Sequence, residues 1–278
     1  MIRTRFAPSP TGLLHIGHAH SAKHAFGFAS AHGGECILRI EDIDTTRCKP
    51  EFTSAIYEDL AWLGFHWPKP VRVQSEHFAD YTKTLQALQD MGLVYRCFKT
   101  RKEILADIAR APHHYENIYL GPEHSLSDHE ETTLIASGKP YAWRLSLKAC
   151  RKYLGTRYQS LSFSNNEKLQ KALPDTLGDI ILARKGVGTS YHLACTHDDA
   201  HQNITHIIRG EDLYNSTHAH VLLQALLGLP TPKYTHHVLL TDTNGKRFSK
   251  RDKSLTIAAC RAQNLTPKNL LADIPELG

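Results

Sequence analysis

Two imidazoles near the start of the chain and a cationic segment far downstream are the residues best suited to phosphate chemistry. His15 and His18 close the segment Pro8-Ser9-Pro10-Thr11-Gly12-Leu13-Leu14-His15-Ile16-Gly17-His18, which follows the apolar stretch Ile2 to Phe6 and runs into the alanine-rich stretch Ala19 to Ala31. That order predicts a strand and then a helix, with both imidazoles on one face a turn apart. Free backbone N–H groups and the positive end of a helix dipole attract polyphosphate at such a junction. Gly12 and Gly17 would let the backbone approach a ligand closely. More than two hundred residues later, Lys246-Arg247-Phe248-Ser249-Lys250 supplies a cationic loop able to close over the phosphates from the other side. Alone, a His-x-x-His also fits a surface or a core, and a Lys/Arg cluster fits a solvated face. The ordered pair on an α/β body outlines an ATP site.

The elements that must position these groups alternate. After Ile2 to Phe6 and its helix comes a strand, Glu35 to Ile40, then a helix with Phe52, Ile56, Leu60 and Leu63 on one face. Another helix runs from Glu76 to Met91 and is closed by Gly92. Such alternation predicts an α/β fold, a Rossmann-type doubly wound and mostly parallel sheet. In the middle, Thr100 to Ala109 reads as helical, His113 to Ser127 as a loop, and Tyr141 to Leu147 and Arg157 to Phe163 as strands. Strands are again expected at Tyr191 to Cys195, Ile204 to Ile208 and Tyr234 to Leu240, around a helix that carries Ala219, Leu222, Leu223, Leu226 and Leu227 and stops at Gly228. The expected organisation is a first catalytic half (1–96), an inserted α+β subdomain (97–190), a second catalytic half (191–240), and the lysine loop with a short helical C-terminal segment (241–278).

Beyond these two segments, Arg3-Thr4-Arg5-Phe6-Ala7-Pro8-Ser9-Pro10, Leu38-Arg39-Ile40-Glu41-Asp42-Ile43-Asp44, Tyr191-His192-Leu193-Ala194 and Ile208-Arg209-Gly210-Glu211-Asp212-Leu213 occur in order. With them the chain resembles a class I aminoacyl-tRNA synthetase of the glutamyl type, nearly end to end and weakest between Cys97 and Ser190. His15 to His18 match the family's HIGH signature and Arg247 to Arg251 its KMSKS loop, where Phe248 and Arg251 depart from the pattern. The resemblance implies an enzyme, a ligase, with His15, His18 and Lys250 as catalytic residues. Pro8, Thr11, Gly12, His15, Gly17, His18, Ser249 and Lys250 would bind ATP, accompanied by Mg²⁺. Arg5, Ala7, Ser9, Glu41, Tyr191 and Arg209 would bind L-glutamate. An arginine fork suits a carboxylate and an acid suits the ammonium. Arg5 and Arg209 are also able to pair with local acids such as Asp42 or Glu211. Glu41 sits in a segment that would equally make a solvated acidic turn or a metal site.

Only Asp252 to Gly278 follow the lysine loop, whereas an ordinary glutamyl enzyme carries a large helical anticodon-binding region there. The expectation is therefore a chain with no anticodon-binding domain. That resembles the shortened branch of the family, whose members transfer glutamate to queuosine in the anticodon of tRNA(Asp). A minimal charging enzyme acting on a tRNA 3′ end, a non-catalytic regulator, and an adenylyltransferase making a small metabolite are the alternatives. The family often holds zinc in the insertion through Cys-x-Cys and Tyr-x-x-x-Cys. Here the positions are Cys97, Lys99, Tyr115 and Tyr119, so two thiolates are missing; His113 and His114 are poor substitutes, and packing of Phe98, Tyr115 and Tyr119 is expected instead of a metal.

The balance of 33 basic against 28 acidic residues, net +5, permits attraction to a polyanion without requiring it. No apolar run reaches the length of a membrane span, and no signal-peptide pattern opens the chain, so a cytoplasmic enzyme, a monomer by analogy, is expected. The six cysteines form no Cys-x-x-Cys pair and read as reduced, structural thiols. The nineteen histidines mostly lack ligand-like spacing and are expected on the surface.

Overall fold

A computed structural model describes residues 1–110, 118–122, 126–184, 187–240, 256–272 and 274. In chain order the elements are β1 (Arg3–Phe6), α1 (Ile16–Ala31), β2 (Glu35–Ile40), α2 (Pro50–Trp62), β3 (Arg72–Val73), α3 (Phe78–Asp90), β4 (Val94–Cys97), α4 (Arg101–Arg110), α5 (Asp128–Ala136), β5 (Ala142–Leu145), α6 (Leu147–Leu154), α7 (Thr156–Gln159), β6 (Ser162–Asn165), β7 (Lys168–Lys171), β8 (Ile181–Arg184), α8 (Tyr191–His201), β9 (His206–Gly210), α9 (Tyr214–Leu227), β10 (Lys233–His237), α10 (Ile257–Ala262) and α11 (Pro267–Ala272).

Strands β1, β2 and β3 form a parallel sheet, and β9, β10 and β6 form a second one edged by antiparallel β7. The two meet where Thr205 N–H donates to the Arg3 carbonyl (2.9 Å) and Arg3 N–H donates to Thr205 Oγ1 (2.9 Å). Side by side they make the expected parallel α/β platform, with β1 and β9 at the point where the strand order reverses. In open sheets of this kind, ligands bind at the strand carboxyl ends near that point. A third, antiparallel sheet, β4-β5-β8, stands apart from the platform.

Small side chains explain how α1 lies so close to the platform. Ala19, Ala22, Ala25 and Ala29 are all buried against β1 and β2, and Thr4 Oγ1 donates to the Ala25 carbonyl (2.8 Å). The same core takes in Ile257, Cys260, Leu270 and Ile274, so the C-terminal helices dock on the first half of the platform. A second core joins Leu85 and Leu88 of α3, Leu145 of β5, Leu147 and Leu154 of α6, Leu193 of α8 and Leu222 of α9. Gly92 (φ +69°) and Gly228 (φ +65°) end their helices as the sequence predicts.

Three readings need correction. Tyr191 to Cys195 is not a strand but the opening of α8, capped by Ser190 Oγ, which accepts from Leu193 N–H (3.4 Å). Arg157 to Phe163 divides between α7 and β6. The histidines are not mainly superficial: His20, His24, His218, His220, His236 and His237 are buried. Tyr115, Ser249 and Lys250, with the remainder of the lysine loop, lie outside the described residues.

Candidate active site

The phosphate corner is built from the start of α1. His15 is the helix N-cap, its Nδ1 accepting from Gly17 N–H (3.1 Å), and His18 Nδ1 accepts from His15 N–H (3.1 Å). A neutral imidazole that accepts at Nδ1 carries its proton on Nε2. Both rings, 3.9 Å apart, are thereby held as Nε2–H donors. This refines the sequence reading, since two of the backbone N–H groups expected to meet phosphate are capped by the imidazoles. The room left by Gly17 is likewise filled from within: a Cβ there would stand 3.0 Å from the His15 ring. Pro8, Thr11 and Gly12 form the turn between β1 and this corner; the Pro8 carbonyl accepts from Glu41 N–H (3.1 Å) and Thr11 N–H donates to Ser9 O (2.8 Å).

Both flanks of the lysine loop are tied to this corner. On the incoming side, Ser21 Oγ of α1 is 3.1 Å from His237 Nε2 at the end of β10. On the outgoing side, Thr256 bridges His15, and Ile257 N–H donates to the Leu14 carbonyl (2.9 Å). The described residues on either side, His237 and Thr256, therefore both lie against the start of α1.

The second part of the site is a set of buried arginines. Arg5 of β1 and Arg39 of β2 share one carboxylate, Asp199 of α8 (Nε to Oδ1 3.1 Å, Nη2 to Oδ1 2.6 Å), and Arg39 also reaches Glu41 (3.3 Å). Burial would raise the Asp199 pKa, but Arg5 and Arg39 outweigh it and hold it at about 2. Burial raises Glu41 above the ordinary value in spite of Arg39 and Arg5. Arg209, at the end of β9, differs from both. It is 4% exposed and donates to His236 Nε2 (3.2 Å), Tyr191 Oη (3.1 Å), the Leu213 carbonyl (3.1 Å) and Thr217 Oγ1 (2.7 Å). Among the described residues every one of those partners is neutral, so this buried guanidinium lacks a counter-ion.

The helix α8 explains the grouping. Tyr191, Cys195 and Asp199 fall four residues apart and present one face to Arg5, Arg39 and Arg209. Burial and the nearby Asp199 and Glu41 push the Cys195 thiol up to about 12, so it packs there as a neutral group. Beside it, His192 Nδ1 lies 3.3 Å from His220 Nε2, and burial followed by Arg209 lowers His192 to about 4. Sequence reasoning missed Arg39, Asp199 and His192 as members of the cluster. A signal existed for the first: an arginine inside the apolar strand Ile37 to Ile40 must find a buried acid.

Ser9, Glu41, Tyr191 and His192 line the inner end of a cleft of about 1270 Å³ whose outer end is walled by Phe98, Lys99, Arg101 and Tyr141. Ala7 lies half-buried just beyond β1. Of the positions expected for zinc, Cys97, Lys99 and Tyr119 line this cleft, and their described surroundings do not suit a dication. Cys97 is a buried thiol beside Tyr119; the Lys99 ammonium pairs with Asp107, and the Arg144 guanidinium sits 4.9 Å from the Tyr119 ring. Two cations beside a single thiol oppose a thiolate-bound dication. Among the described residues no cluster of three His, Cys, Asp or Glu is arranged to hold a metal. No described helix is long and apolar enough to cross a membrane.

A parallel sheet that gathers paired imidazoles, a cationic loop's anchors and an arginine pocket at its carboxyl ends defines a nucleotide-dependent enzyme of the Rossmann type. The chain belongs to the class I tRNA synthetases (E and Q), whose catalytic-domain model matches residues 1–278. It is similar to the glutamyl-Q tRNA(Asp) synthetase of Rhodobacter capsulatus, 41% identical over 96% of this chain and 97% of that one. It is also similar to a glutamate–tRNA ligase of a Synechococcus species, 34% identical over the whole of this chain but 58% of the relative's length. Among solved structures, a glutamate–tRNA synthetase from Elizabethkingia anophelis superposes with a TM-score of 0.72 at 31% identity, covering 90% of this chain and 53% of that one.

Proposed function

We propose that the protein activates L-glutamate with ATP and transfers the glutamyl group to queuosine in the anticodon of tRNA(Asp). The observation that carries the amino-acid half of this reading is Arg209, a buried cation whose described partners are all neutral. A glutamate carboxylate would supply its counter-ion, Glu41 would meet the ammonium, and Arg5, Ala7 and Ser9 would complete the pocket. A site that hydrogen-bonds charge rejects an analogue lacking it, because its own groups would be left unpaired. Family membership and the 41% identity to a glutamyl-Q tRNA(Asp) synthetase support the transfer half.

In the first step a glutamate carboxylate oxygen attacks the α-phosphorus of ATP, the bond to the β-phosphate oxygen breaks, and pyrophosphate leaves. The attacking carboxylate has no proton to lose, so no general base is needed. Catalysis is positioning and neutralisation of charge. His15 and His18 would donate from Nε2 to phosphate oxygens, Lys250 would offset charge on the transferring group, and Mg²⁺ would travel with ATP and pyrophosphate. In the second step a hydroxyl of the queuosine cyclopentenediol attacks the glutamyl-adenylate carbonyl and AMP leaves. The division of the chain at 97 and 190, with the inserted part toward the nucleic acid, and a monomeric, cytoplasmic enzyme belong to the same proposal.

The test is transfer of radiolabelled glutamate, with ATP and Mg²⁺, to tRNA from cells that make queuosine and from cells that cannot. Label confined to tRNA(Asp) of the first pool is expected. Equal labelling of tRNA(Glu) in both pools would establish the second reading, a minimal glutamate–tRNA ligase, which the 34% identity to such enzymes favours. No label in either pool would sink both.

A further inference from the structure

Helix α8 carries one polar group on the cleft wall outside the proposed glutamate set. His192 follows Tyr191 there, and its Nδ1 lies 3.3 Å from Nε2 of His220 on α9. The rings of Tyr191, His192 and His220 pack together with centroids 5.4 to 5.6 Å apart. His220 is 1% exposed, and its Nδ1 has no hydrogen-bond partner among the described residues. Burial and then Arg209 lower both imidazoles, so each is neutral and carries one N–H.

The unpaired atom of His220 decides which ring donates to the other. If His192 donated from Nδ1, neutral His220 would hold its own proton on Nδ1, a buried N–H with nothing to receive it. If His220 donates from Nε2, its Nδ1 is only an under-used acceptor. Orphaned buried N–H groups are the rarer of the two in native proteins, because the donor gives up water without a replacement. His220 is therefore the donor. His192 accepts at Nδ1 and keeps its proton on Nε2, at the opposite edge of the ring. Among the described residues that Nε2–H has no partner, and it is left to the cleft that His192 lines.

Arg209 shows what such a donor would serve. Its Nε donates to His236, one Nη1–H to Tyr191 Oη, and Nη2 to the Leu213 carbonyl and Thr217 Oγ1. A single Nη1–H remains for a ligand, whereas a carboxylate has room for about four hydrogen bonds. The Tyr191 hydroxyl accepts from Arg209 and has its own O–H to give. Next along the same helix, His192 Nε2–H is a further donor. A glutamate that presents its α-carboxylate to ATP and its ammonium to Glu41 has only the side-chain carboxylate left for Arg209.

We propose that His192, its tautomer set by His220 as a positioning residue, is a further specificity-determining residue of the glutamate pocket, whose Nε2–H joins Arg209 and the Tyr191 hydroxyl on the side-chain carboxylate. The inference rests on the proposed activation of glutamate. It makes this subsite one of donors alone. A carboxylate satisfies every such donor, while the amide NH2 of glutamine would meet only N–H and O–H groups and leave them unpaired.

The experiment measures ATP–pyrophosphate exchange by the full-length protein, with glutamate or glutamine as the amino acid, in the wild type, His192→Leu and His192→Gln. A hydrogen bond to a charged group makes the expected rise in the KM for glutamate in His192→Leu roughly ten- to a hundredfold, with the KM for ATP unmoved. His192→Gln restores an N–H and should recover most of the glutamate affinity. Its amide also brings an acceptor, so its preference for glutamate over glutamine in kcat/KM should fall roughly tenfold or more. Nitrogen-15 NMR of the imidazoles should show the His192 proton on Nε2 in the wild type and on both nitrogens in His220→Leu. A proton on Nδ1 in the wild type would overturn the inference, as would an unchanged KM for glutamate in His192→Leu; either leaves the proposed function standing. A parallel rise in the KM for ATP, or no recovery in His192→Gln, would show that the substitutions act through the fold and would overturn it too. Wild-type protein without glutamate-dependent exchange would remove the proposed function, and this inference with it.

Discussion

At the scale of single residues, the site is decided by how three buried guanidinium groups are compensated. Arg5 and Arg39 share Asp199, and Arg39 adds Glu41, so these two cations are met by two anions. Removing the shared carboxylate with Asp199→Asn leaves two buried cations with one acid between them. Loss of one partner from a buried pair costs about 3–5 kcal/mol, which denaturant unfolding would read as a lower midpoint at unchanged slope. Arg209 predicts the opposite kind of defect. Its described partners are neutral, so its replacement breaks no internal ion pair and acts on ligand. Arg209→Ala should lower kcat/KM for glutamate roughly a hundredfold, about 3 kcal/mol, with little change in the KM for ATP. Equal effects on both substrates would exclude a carboxylate contact. Arg209→Lys should recover part of the loss at most, because an ammonium cannot reproduce the planar fork. Glu41 adds a dependence on pH: burial raises its carboxyl, so acidification neutralises it early, and glutamate binding should weaken as pH falls.

At the scale of elements, what the sequence made legible follows its periodicities. The alanine stretch of α1, the Phe52 to Leu63 face of α2 and the Leu222 to Leu227 face of α9 are repeats that burial enforces, and they were readable from spacing. The paired histidines were offered by their spacing at a strand-to-helix junction, whereas Arg5, Glu41, Tyr191 and Arg209 were offered only through the family motifs, because no period connects them. Tyr191 to Cys195 was misread for a physical reason. The inward face of α8 is Tyr191, Cys195 and Asp199, polar groups turned toward arginines, and Asp198 is also fully buried beneath Arg72 (2.7 Å) and Tyr81 (2.9 Å). A helix that buries its acids lacks the apolar stripe by which helices are recognised, and the short run Leu193-Ala194-Cys195 then looks like a strand. The antiparallel sheet beside the cleft was also partly hidden, because its anchor is a network around one acid. Asp179 accepts from Tyr95 Oη (2.9 Å) and from Leu147 N–H (2.9 Å), and its own N–H donates to the Tyr119 carbonyl (2.7 Å). Gly178 makes that approach possible, with φ +66° and ψ −163°, a region essentially reserved for glycine. A Cβ there would lie 2.4 Å from the Tyr119 carbonyl oxygen. Gly178→Ala should therefore destabilise the protein by about 2–3 kcal/mol, seen as a melting point several degrees lower, while glutamate-dependent pyrophosphate exchange well below that temperature persists.

At the scale of the whole molecule, the buried histidines govern how stability responds to acid. His20 packs against His24 and His237 with ring centroids 4.4 and 4.5 Å away, and burial followed by those two rings lowers it to about 3. Burial, then Arg209, lowers His236 to about 3 and His192 to about 4. In the unfolded chain each would titrate near its ordinary 6.5. Below that pH the unfolded state therefore binds protons that the native state refuses, and stability falls as pH drops from 6.5 toward the folded values. At pH 5 the loss is on the order of 1–2 kcal/mol for each histidine. Asp59 works in the other direction. Its buried carboxyl, raised by burial to about 6 with no hydrogen-bond partner, is relieved by protonation on acidification. One carboxyl recovers about 1 kcal/mol between pH 7 and pH 5, which three histidines outweigh. Asp199, held at about 2, does not contribute until the pH falls below the ordinary value of 3.8. The expected result is a protein whose unfolding free energy, measured by urea titration, declines by several kcal/mol between pH 7 and pH 5 and whose decline is shallower in His20→Gln. That variant keeps a polar side chain and removes the titration. A flat profile over the same range in the wild type would mean that these rings are protonated in the native fold and that the close packing of His20, His24 and His237 does not hold in solution.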